Sequence, residues 1–345
     1  MGLNNDYWEG KKGQWMENNF LIGLAGVIAS AAPIVIAAVG ETITEKSGML
    51  NLSVNGIILL SAMAGFAAAY SSGSLTLGYL VGMLIGALIG FVLAFCTIAL
   101  NQSQVAVGLV LAFLCRDLSY FLGNDFMGLS APVIHSTSLP LLNEIPILGP
   151  LLFDQTIMVY LSLVSIPAAL VWINKTRFGL IVRSVGERPE AAYARGVDVN
   201  KVRYFYTIVG SALVGLAGPI YSLGLKPGWK GSMTGLDGIG WIVLAITIFG
   251  GWNPLKVALG AYLFEFLRWL GLVFQTNLSG VPSQVLQVAP FPLMILTLVF
   301  VNIKNAEWFE TMIHILPPPI YKFLSLKGKR RNAAPSSLGI PFRNV

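Results

Sequence analysis

Carboxylate and amide side chains stand between two apolar runs near the start of the chain, in the interval 41–56. The groups there that are able to contact a polar solute are Glu41, Glu45, Asn51, Ser53 and Asn55. They bind by accepting and donating hydrogen bonds, and unwound backbone is tolerated at membrane depth where it lines a water-filled path. The interval is therefore either a surface loop or a re-entrant element that lines a path, and both interpretations stay open here.

The residue types that metal or redox chemistry needs are sparse. The chain has two cysteines, Cys96 and Cys115, both inside apolar segments, and two histidines, His135 and His314, which are far apart in sequence. Structural zinc sites and disulfide frameworks need several such residues at short spacing. We therefore expect no metal site and no catalytic residues in this chain.

The elements that position these polar groups follow from the composition. The 345 residues are 55% hydrophobic and 11% charged, whereas soluble domains carry roughly 25% charged residues. Apolar windows long enough for a ~30 Å hydrocarbon core recur along the chain. They are 20–39, 54–70, 76–100, 105–122, 156–173, 204–225, 238–249, 255–274 and 285–301. The predicted fold is an all-α, polytopic transmembrane helical bundle of about 8–10 spans.

Two features predict how helices pair inside the bundle. Gly78, Gly82, Gly86 and Gly90 follow one another at a spacing of four, so they form one flat helix face against which a neighbouring helix packs closely. Glu265 and Arg268 are three residues apart and are expected to form an ion pair, whereas the adjacent Arg116 and Asp117 are not expected to share a face.

The charge distribution predicts which segments lie inside the cell. Between Lys175 and Arg203 seven basic residues accompany three acidic ones, and from Asn302 onward seven basic residues accompany two acidic ones. Lysine and arginine favour the cytoplasmic side, which places both regions inside. These bases flank spans and do not form one groove, which disfavours nucleic-acid binding. The tail after Pro317 is expected to be disordered.

The long inside loop contains a short helix signal. Pro189 suits the first helical position, Glu190 suits the positive end of the helix dipole, and Gly196 suits the stop. A two-turn helix is too short to be stable alone. It is either a knob that docks in a groove of a partner protein or an ordinary linker helix.

Several segments together resemble the permease subunits of ABC importers, in the superfamily that serves branched-chain amino acids, ribose-type sugars and nucleosides. The segments are 31–57, 176–180, 186–197, 210–218 and 248–254. The resemblance is strongest to the nucleoside and simple-sugar branch. Lys46, Ser53 and Asn55 depart from that branch, which has Arg, Gly and an acid there, so the loss of the acid removes a charge from the presumed path.

The resemblance implies a subunit that forms the translocation path for a nucleoside or a related small solute in a bacterial or archaeal cell membrane. Its implied domains are an N-terminal extramembrane segment, 1–19, the permease domain, 20–303, with its coupling loop, 175–203, and a basic cytoplasmic tail, 304–345. The implied ATPase-coupling residues are Gly186, Glu187, Arg188, Pro189, Glu190, Ala191, Ala192 and Gly196, and the implied substrate path is the polar set of the interval 41–56 named above.

The resemblance also implies partners. These are cytoplasmic ATP-binding subunits that hold ATP and Mg, a second permease that is identical or homologous, and an external substrate-binding lipoprotein. The sequence has no G-x-x-x-x-G-K-[S/T] string, so ATP would bind on another chain. The alternatives are a permease for a simple sugar or riboflavin and, less favoured, an ion-coupled secondary transporter. An intramembrane enzyme lacks any supporting pair of residues.

Overall fold

The computed structural model describes residues 3–138, 145, 149–277, 292, 296 and 334–342. Within these residues almost all regular structure is helical. The α-helices are α1 (Leu3–Lys46), α2 (Val54–Ser72), α3 (Leu75–Ala94), α4 (Gln104–Leu122), α5 (Ile157–Lys175), α6 (Arg177–Glu187), α7 (Pro189–Ala194), α8 (Val199–Ile220), α9 (Ile239–Phe249) and α10 (Pro254–Asn277). Single π-helical turns extend α3 to Ala99 and α8 to Leu225. Two-residue strands, β1 (Thr137–Ser138) and β2 (Asp154–Gln155), pair antiparallel in the segment between α4 and α5.

Seven helices of the described part are long and apolar enough to cross a membrane. They are α1 from Phe20, α2, α3, α4, α5, α8 and α10 to Gln275. The predicted all-α, polytopic bundle is confirmed. Only residues 292 and 296 of the window 285–301 are described, so a crossing there stays a prediction. Residues 3–19 continue α1 and do not form a separate element.

The window 238–249 is not a complete crossing. It corresponds to α9, which has eleven residues and is about 16 Å long at 1.5 Å per residue. The expectation of a crossing there was wrong, because an apolar window does not show whether a helix begins at the membrane surface or part-way through the bundle.

The interval 41–56 is re-entrant, and the surface-loop interpretation is wrong. Its first part, 41–46, is still helix α1, and only 47–53 is unwound before α2 begins. The unwound stretch starts beside Arg203, where a Cβ on Gly48 would meet the guanidinium. It then rises until the Asn51 amide lies 3.5 Å from the Ser211 hydroxyl. Arg203 and Ser211 are about 12 Å apart along α8, so the chain climbs more than two helical turns inside the bundle.

A second broken element mirrors the first. After α8 the chain continues through 226–238 and re-enters the bundle as α9. The first residues of α9 meet the first residues of α2, because a Cβ on Gly240 would touch the backbone of Asn55. From this meeting point α2 leads towards Ser72, and α9 leads towards Trp252, whose indole bonds Glu45 near the end of α1. Discontinuous helices that meet inside the bundle in this way are typical of transporters.

The glycine face of α3 packs on α8, as its spacing predicts. A Cβ on Gly86 would meet the backbone of Ser211 and Gly215, and one on Gly82 would meet Pro219. This close approach joins α3 and α8 in the most extensive helix pair of the described residues. The predicted Glu265–Arg268 ion pair is confirmed at 3.1 Å.

The expectation for Arg116 and Asp117 was wrong. Their side chains form an ion pair at 2.9 Å although the two residues are adjacent. The long arginine side chain bends back along α4, which spacing along the helix does not reveal.

We expect Gly86→Ala to lower the free energy of unfolding by roughly 1–3 kcal/mol, because its Cβ would collide with backbone atoms that cannot move independently. The matched control is Gly26→Ala, since Gly26 lies on the spanning helix α1 with open space around its Cβ position. The control is expected to leave stability unchanged or to raise it by up to about 1 kcal/mol. Thermal unfolding of both variants in detergent measures the difference, and equal midpoints would contradict the packing described.

Candidate functional site

The predicted short helix in the 175–203 loop is α7, and the prediction is confirmed. It has six residues, with Pro189 in its first turn and Glu190 beside it. Gly196 follows in the left-handed region, at φ +85°, a conformation that glycine adopts without steric cost. Beyond it, Asp198 caps α8 by accepting a hydrogen bond from the Lys201 backbone N–H at 3.0 Å, and that bond lowers the pKa of the Asp198 carboxyl.

The two faces of α7 differ in exposure. Pro189 and Ala192 are buried, and Ala192 packs with Val185 and Val199 in a small apolar cluster. The opposite face is exposed. Of the residues that the sequence assigned to the loop site, Gly186, Pro189 and Ala192 are buried, whereas Glu187, Arg188, Glu190, Ala191 and Gly196 are exposed. The loop therefore presents a small, firmly seated knob.

Part of the tail packs against this knob. We call residues 334–342 the C-terminal strap. Ser337 donates its backbone N–H to Gly186 O at 2.9 Å, the Ser336 hydroxyl donates to Glu187 at 2.9 Å, and the ring of Phe342 lies 5.7 Å from that of Tyr193. The expectation of a disordered tail was wrong for this stretch, because short polar segments can be ordered by the surface on which they lie.

The C-terminal strap also reaches the broken element. Gly339 donates its backbone N–H to Gly48 O at 3.2 Å. Arg203, which is 1% exposed, donates to Ile340 O at 2.9 Å and to the Ser337 hydroxyl at 3.2 Å. The strap thus joins α6, the start of α8 and the unwound segment. It also places the 175–203 loop and this part of the tail on the same side of the bundle.

Three of the five predicted path residues, Glu41, Asn51 and Ser53, form a buried hydrogen-bond network, and a fourth, Glu45, is buried nearby with a different partner. Asn51 donates to Glu41 at 3.1 Å, and its own carbonyl oxygen accepts from the backbone N–H of Ser53 at 3.1 Å. The Trp252 indole donates to Glu45. All four residues, Glu41, Glu45, Asn51 and Ser53, are fully buried. Glu41 ties α1 to Asn51 in the unwound segment, whereas Glu45 ties α1 to Trp252 after α9, and the role of these residues in a path stays a prediction.

Asn55 stands apart from that network and joins the two broken elements. Its amide nitrogen donates to Asp237 at 2.8 Å. Its amide oxygen accepts from the backbone N–H groups of Gly238 and Gly240 at 2.9 and 3.2 Å, which caps the start of α9. An amide performs both tasks, whereas an ionised carboxylate would accept from α9 but repel Asp237. This is a physical reason for an amide, and not an acid, at Asn55.

The sequence reading did not select Asp237 as a site residue. The run Asp237-Gly238-Ile239-Gly240 directly before an apolar window is a helix-start signal that would have drawn attention to it. Its partner, Asn55, is 182 positions away, so the contact itself could not be predicted. On its other side Asp237 accepts from the Tyr120 hydroxyl at 3.4 Å.

Spanning helices, two helices that start inside the bundle and a seated knob outside it define a polytopic membrane permease. The chain belongs to the family described as the permease component of the branched-chain amino acid transport system, whose profile matches residues 23–301.

Three relatives are similar over most of their length. The putative glucose ABC transporter permease protein TsgC13 of Haloferax volcanii is 33% identical over 93% of this chain and 97% of its own. The nucleoside ABC transporter permease protein NupC of Lactococcus lactis is 32% identical over 81% and 92%. The guanosine ABC transporter permease protein NupQ of Bacillus subtilis is 28% identical over 78% and 88%. No solved structure matches the chain.

We expect deletion of residues 334–345 to loosen the 175–203 loop, because Gly186, Glu187 and Arg203 lose the hydrogen bonds described above. Amide hydrogen exchange of residues 185–199 is expected to speed up at least tenfold, while exchange in α3 stays unchanged. Deletion of residues 343–345 alone is the control, since it leaves the C-terminal strap in place. Equal exchange in both deletions would show that the strap does not hold the loop.

We expect Asn55→Asp to lower the free energy of unfolding at pH 8 by roughly 1–3 kcal/mol, because it removes one hydrogen bond and sets two carboxylates against each other. Thermal unfolding of the variant and the native chain at pH 8 measures the loss. Asn101→Asp, at an exposed residue between α3 and α4, is the control and is expected to keep a midpoint close to the native one. A native midpoint for Asn55→Asp would contradict the contact.

Proposed function

We propose that this chain is the permease subunit of an ATP-driven importer for a nucleoside or a sugar. The observation that carries the proposal is the seated knob α7, together with the family membership and the solutes that the three relatives' names state. A knob of six residues has no function of its own, but it is well suited to fill a groove in a partner protein.

We also propose the subunits that assemble with this chain. ATP-binding subunits receive the exposed face of α7 and carry ATP and Mg, since the sequence lacks a P-loop. A second permease, identical or homologous, completes the translocation path, and an external substrate-binding protein delivers the solute. In this proposal the basic loop and tail face the cytoplasm, the complex lies in the cell membrane of a bacterium or archaeon, and the chain has 20–303 as its membrane domain and 304–345 as its tail.

The contacts suggest how movement passes from α7 into the bundle. Residues Gly186 to Gly196 form the coupling unit, and Gly186 packs directly against the carbonyl of Lys46 at the end of α1. The C-terminal strap adds a second link from Gly186 to Gly48. A shift of the knob therefore reaches α1 and the unwound segment together. Packed helices switch between discrete arrangements, so such a shift can alternate the access of the path between the two sides.

We propose that the unwound segment 47–53 is the hinge of this movement. Unwound backbone at 47–53 can change its dihedral angles more easily than helix, and Asn51 holds it by donating to Glu41 and accepting from the Ser53 backbone N–H. We propose that Asn55 carries the movement on to α9. In this proposal Glu41, Glu45, Asn51, Ser53 and Asn55 shape the path by moving the helices that line it.

A nucleoside and a sugar are the two solutes that the relatives' names favour. Riboflavin and an ion-coupled mechanism have no such support, because no relative described above is named for either. The test is uptake of labelled guanosine and labelled D-glucose by cells that carry or lack this chain. ATP-dependent uptake of one of them, lost with the chain, supports the proposal, and uptake of neither overturns it.

We expect Ala191→Arg to abolish at least nine-tenths of uptake, because a long charged side chain on the exposed face of α7 would block its seat in the ATP-binding subunit. The variant is expected to keep its thermal stability, since Ala191 is exposed, and to copurify with less ATP-binding subunit. Ala191→Ser is the matched control and is expected to behave like the native chain. Native uptake by Ala191→Arg would remove α7 from the coupling role.

A further inference from the structure

Charged and aromatic side chains form a continuous patch on one face of α4 and at the start of α9. We call it the α4–α9 patch, and its members are Phe113, Arg116, Asp117, Tyr120 and Asp237. The Arg116 guanidinium lies 5.2 Å from the centre of the Phe113 ring and 2.9 Å from the Asp117 carboxylate. The Tyr120 hydroxyl donates to Asp237 at 3.4 Å. None of these residues belongs to the buried network of the interval 41–56.

The patch lies at membrane depth. Asp237 is bonded to Asn55, whose neighbour Gly56 would place a Cβ against Ala112 and Cys115 in the middle of α4. Asp117 lies five residues before the end of the same helix, which is about 7–8 Å along its axis. Arg116 and Asp117 therefore lie within a helix that is long and apolar enough to cross a membrane, and Asn55 holds Asp237 beside that helix.

The exposed fractions of the charged side chains indicate which environment the patch faces. The Asp117 side chain is 65% exposed and that of Arg116 is 32% exposed, and Asp237 is exposed as well. Charged groups inside a span are costly in lipid and face the bundle interior or a water-filled cavity. By contrast, Glu265 in α10, also within a span, keeps its side chain 5% exposed. The patch therefore faces either the solute path or a partner subunit.

The side-chain chemistry of the patch favours a neutral, polyhydroxylated ring. The carboxylates of Asp117 and Asp237 and the Tyr120 oxygen, whose one proton goes to Asp237, can accept hydrogen bonds from neighbouring hydroxyl groups, while the Arg116 guanidinium can donate. The Phe113 ring offers an apolar surface to the face of a sugar ring. Two carboxylates against one guanidinium leave a net negative charge, which disfavours phosphorylated solutes.

We propose that the α4–α9 patch contacts the transported solute and recognises vicinal hydroxyl groups on a neutral ring, either the ribose of a nucleoside or a pyranose. The proposal rests on the function proposed above and adds to it the residues that meet the solute. Asp237 has a double role in it, because Asn55 ties the same carboxylate to the junction of the two broken elements. Release of the solute from Asp237 would thus alter the contact that joins α2 and α9.

The test uses the complete transporter in proteoliposomes with saturating solute-loaded binding protein, so that the binding protein no longer decides the preference. Initial uptake is compared for guanosine and 2′,3′-dideoxyguanosine, and for D-glucose and 2-deoxy-D-glucose. Asp117→Asn and Asp237→Asn are each expected to reduce the preference for the hydroxylated member of the transported pair at least tenfold. Asp154→Asn, an exposed carboxylate beside β1, is the matched control and is expected to keep the native preference.

The pair that loses its preference identifies the ring, a ribose or a pyranose. An unchanged preference in both variants, with native uptake of the solute, overturns this inference and leaves the proposed function standing. An equal fall for both members of a pair, accompanied by less second permease in the purified complex, also overturns it and makes the patch a subunit interface. Uptake of neither solute by the native complex overturns the proposed function, and this inference falls with it.

Discussion

Unwound backbone inside an apolar bundle must find hydrogen-bond partners, because neither lipid nor neighbouring hydrocarbon side chains can supply them. This constraint accounts for the polar residues of the first broken element. The amide of Gln104 accepts from Leu50 N–H at 2.8 Å, and that of Asn51 accepts from Ser53 N–H. At the second element Asn55 does the same for α9. The polar side chains that look out of place in an apolar sequence are those that let two helices start inside the bundle.

Much of the fold could be predicted from the sequence because its signals are local. Apolar windows mark the spans, the glycine spacing of α3 marks a close neighbour, and Pro189 with Gly196 marks the short helix. The depth at which α9 starts is not a local property. It follows from the junction with Asn55, and no window of hydropathy contains that information.

The site was less predictable, for a physical reason. Residue type identifies a group that can bind a solute, but burial decides whether a solute can reach it. Glu41 and Asn51 have suitable chemistry and are fully buried, whereas Asp117, which looks like an ordinary helix charge, is largely exposed. The roles of Asp237 and the C-terminal strap could not be predicted from the sequence, because their partners lie more than a hundred positions away. Only the folded chain separates polar groups that support backbone from those that face outward.

The C-terminal strap has a consequence for biosynthesis. Residues 334–342 follow α10 in the chain, yet they cover Gly186 and Arg203, so the surface around α7 is finished only after the last described helix has left the ribosome. A nascent permease would expose a loosely held knob and a bare guanidinium until that moment. In the proposed importer, an ATP-binding subunit would therefore meet a firmly held α7 only after the strap has been synthesised.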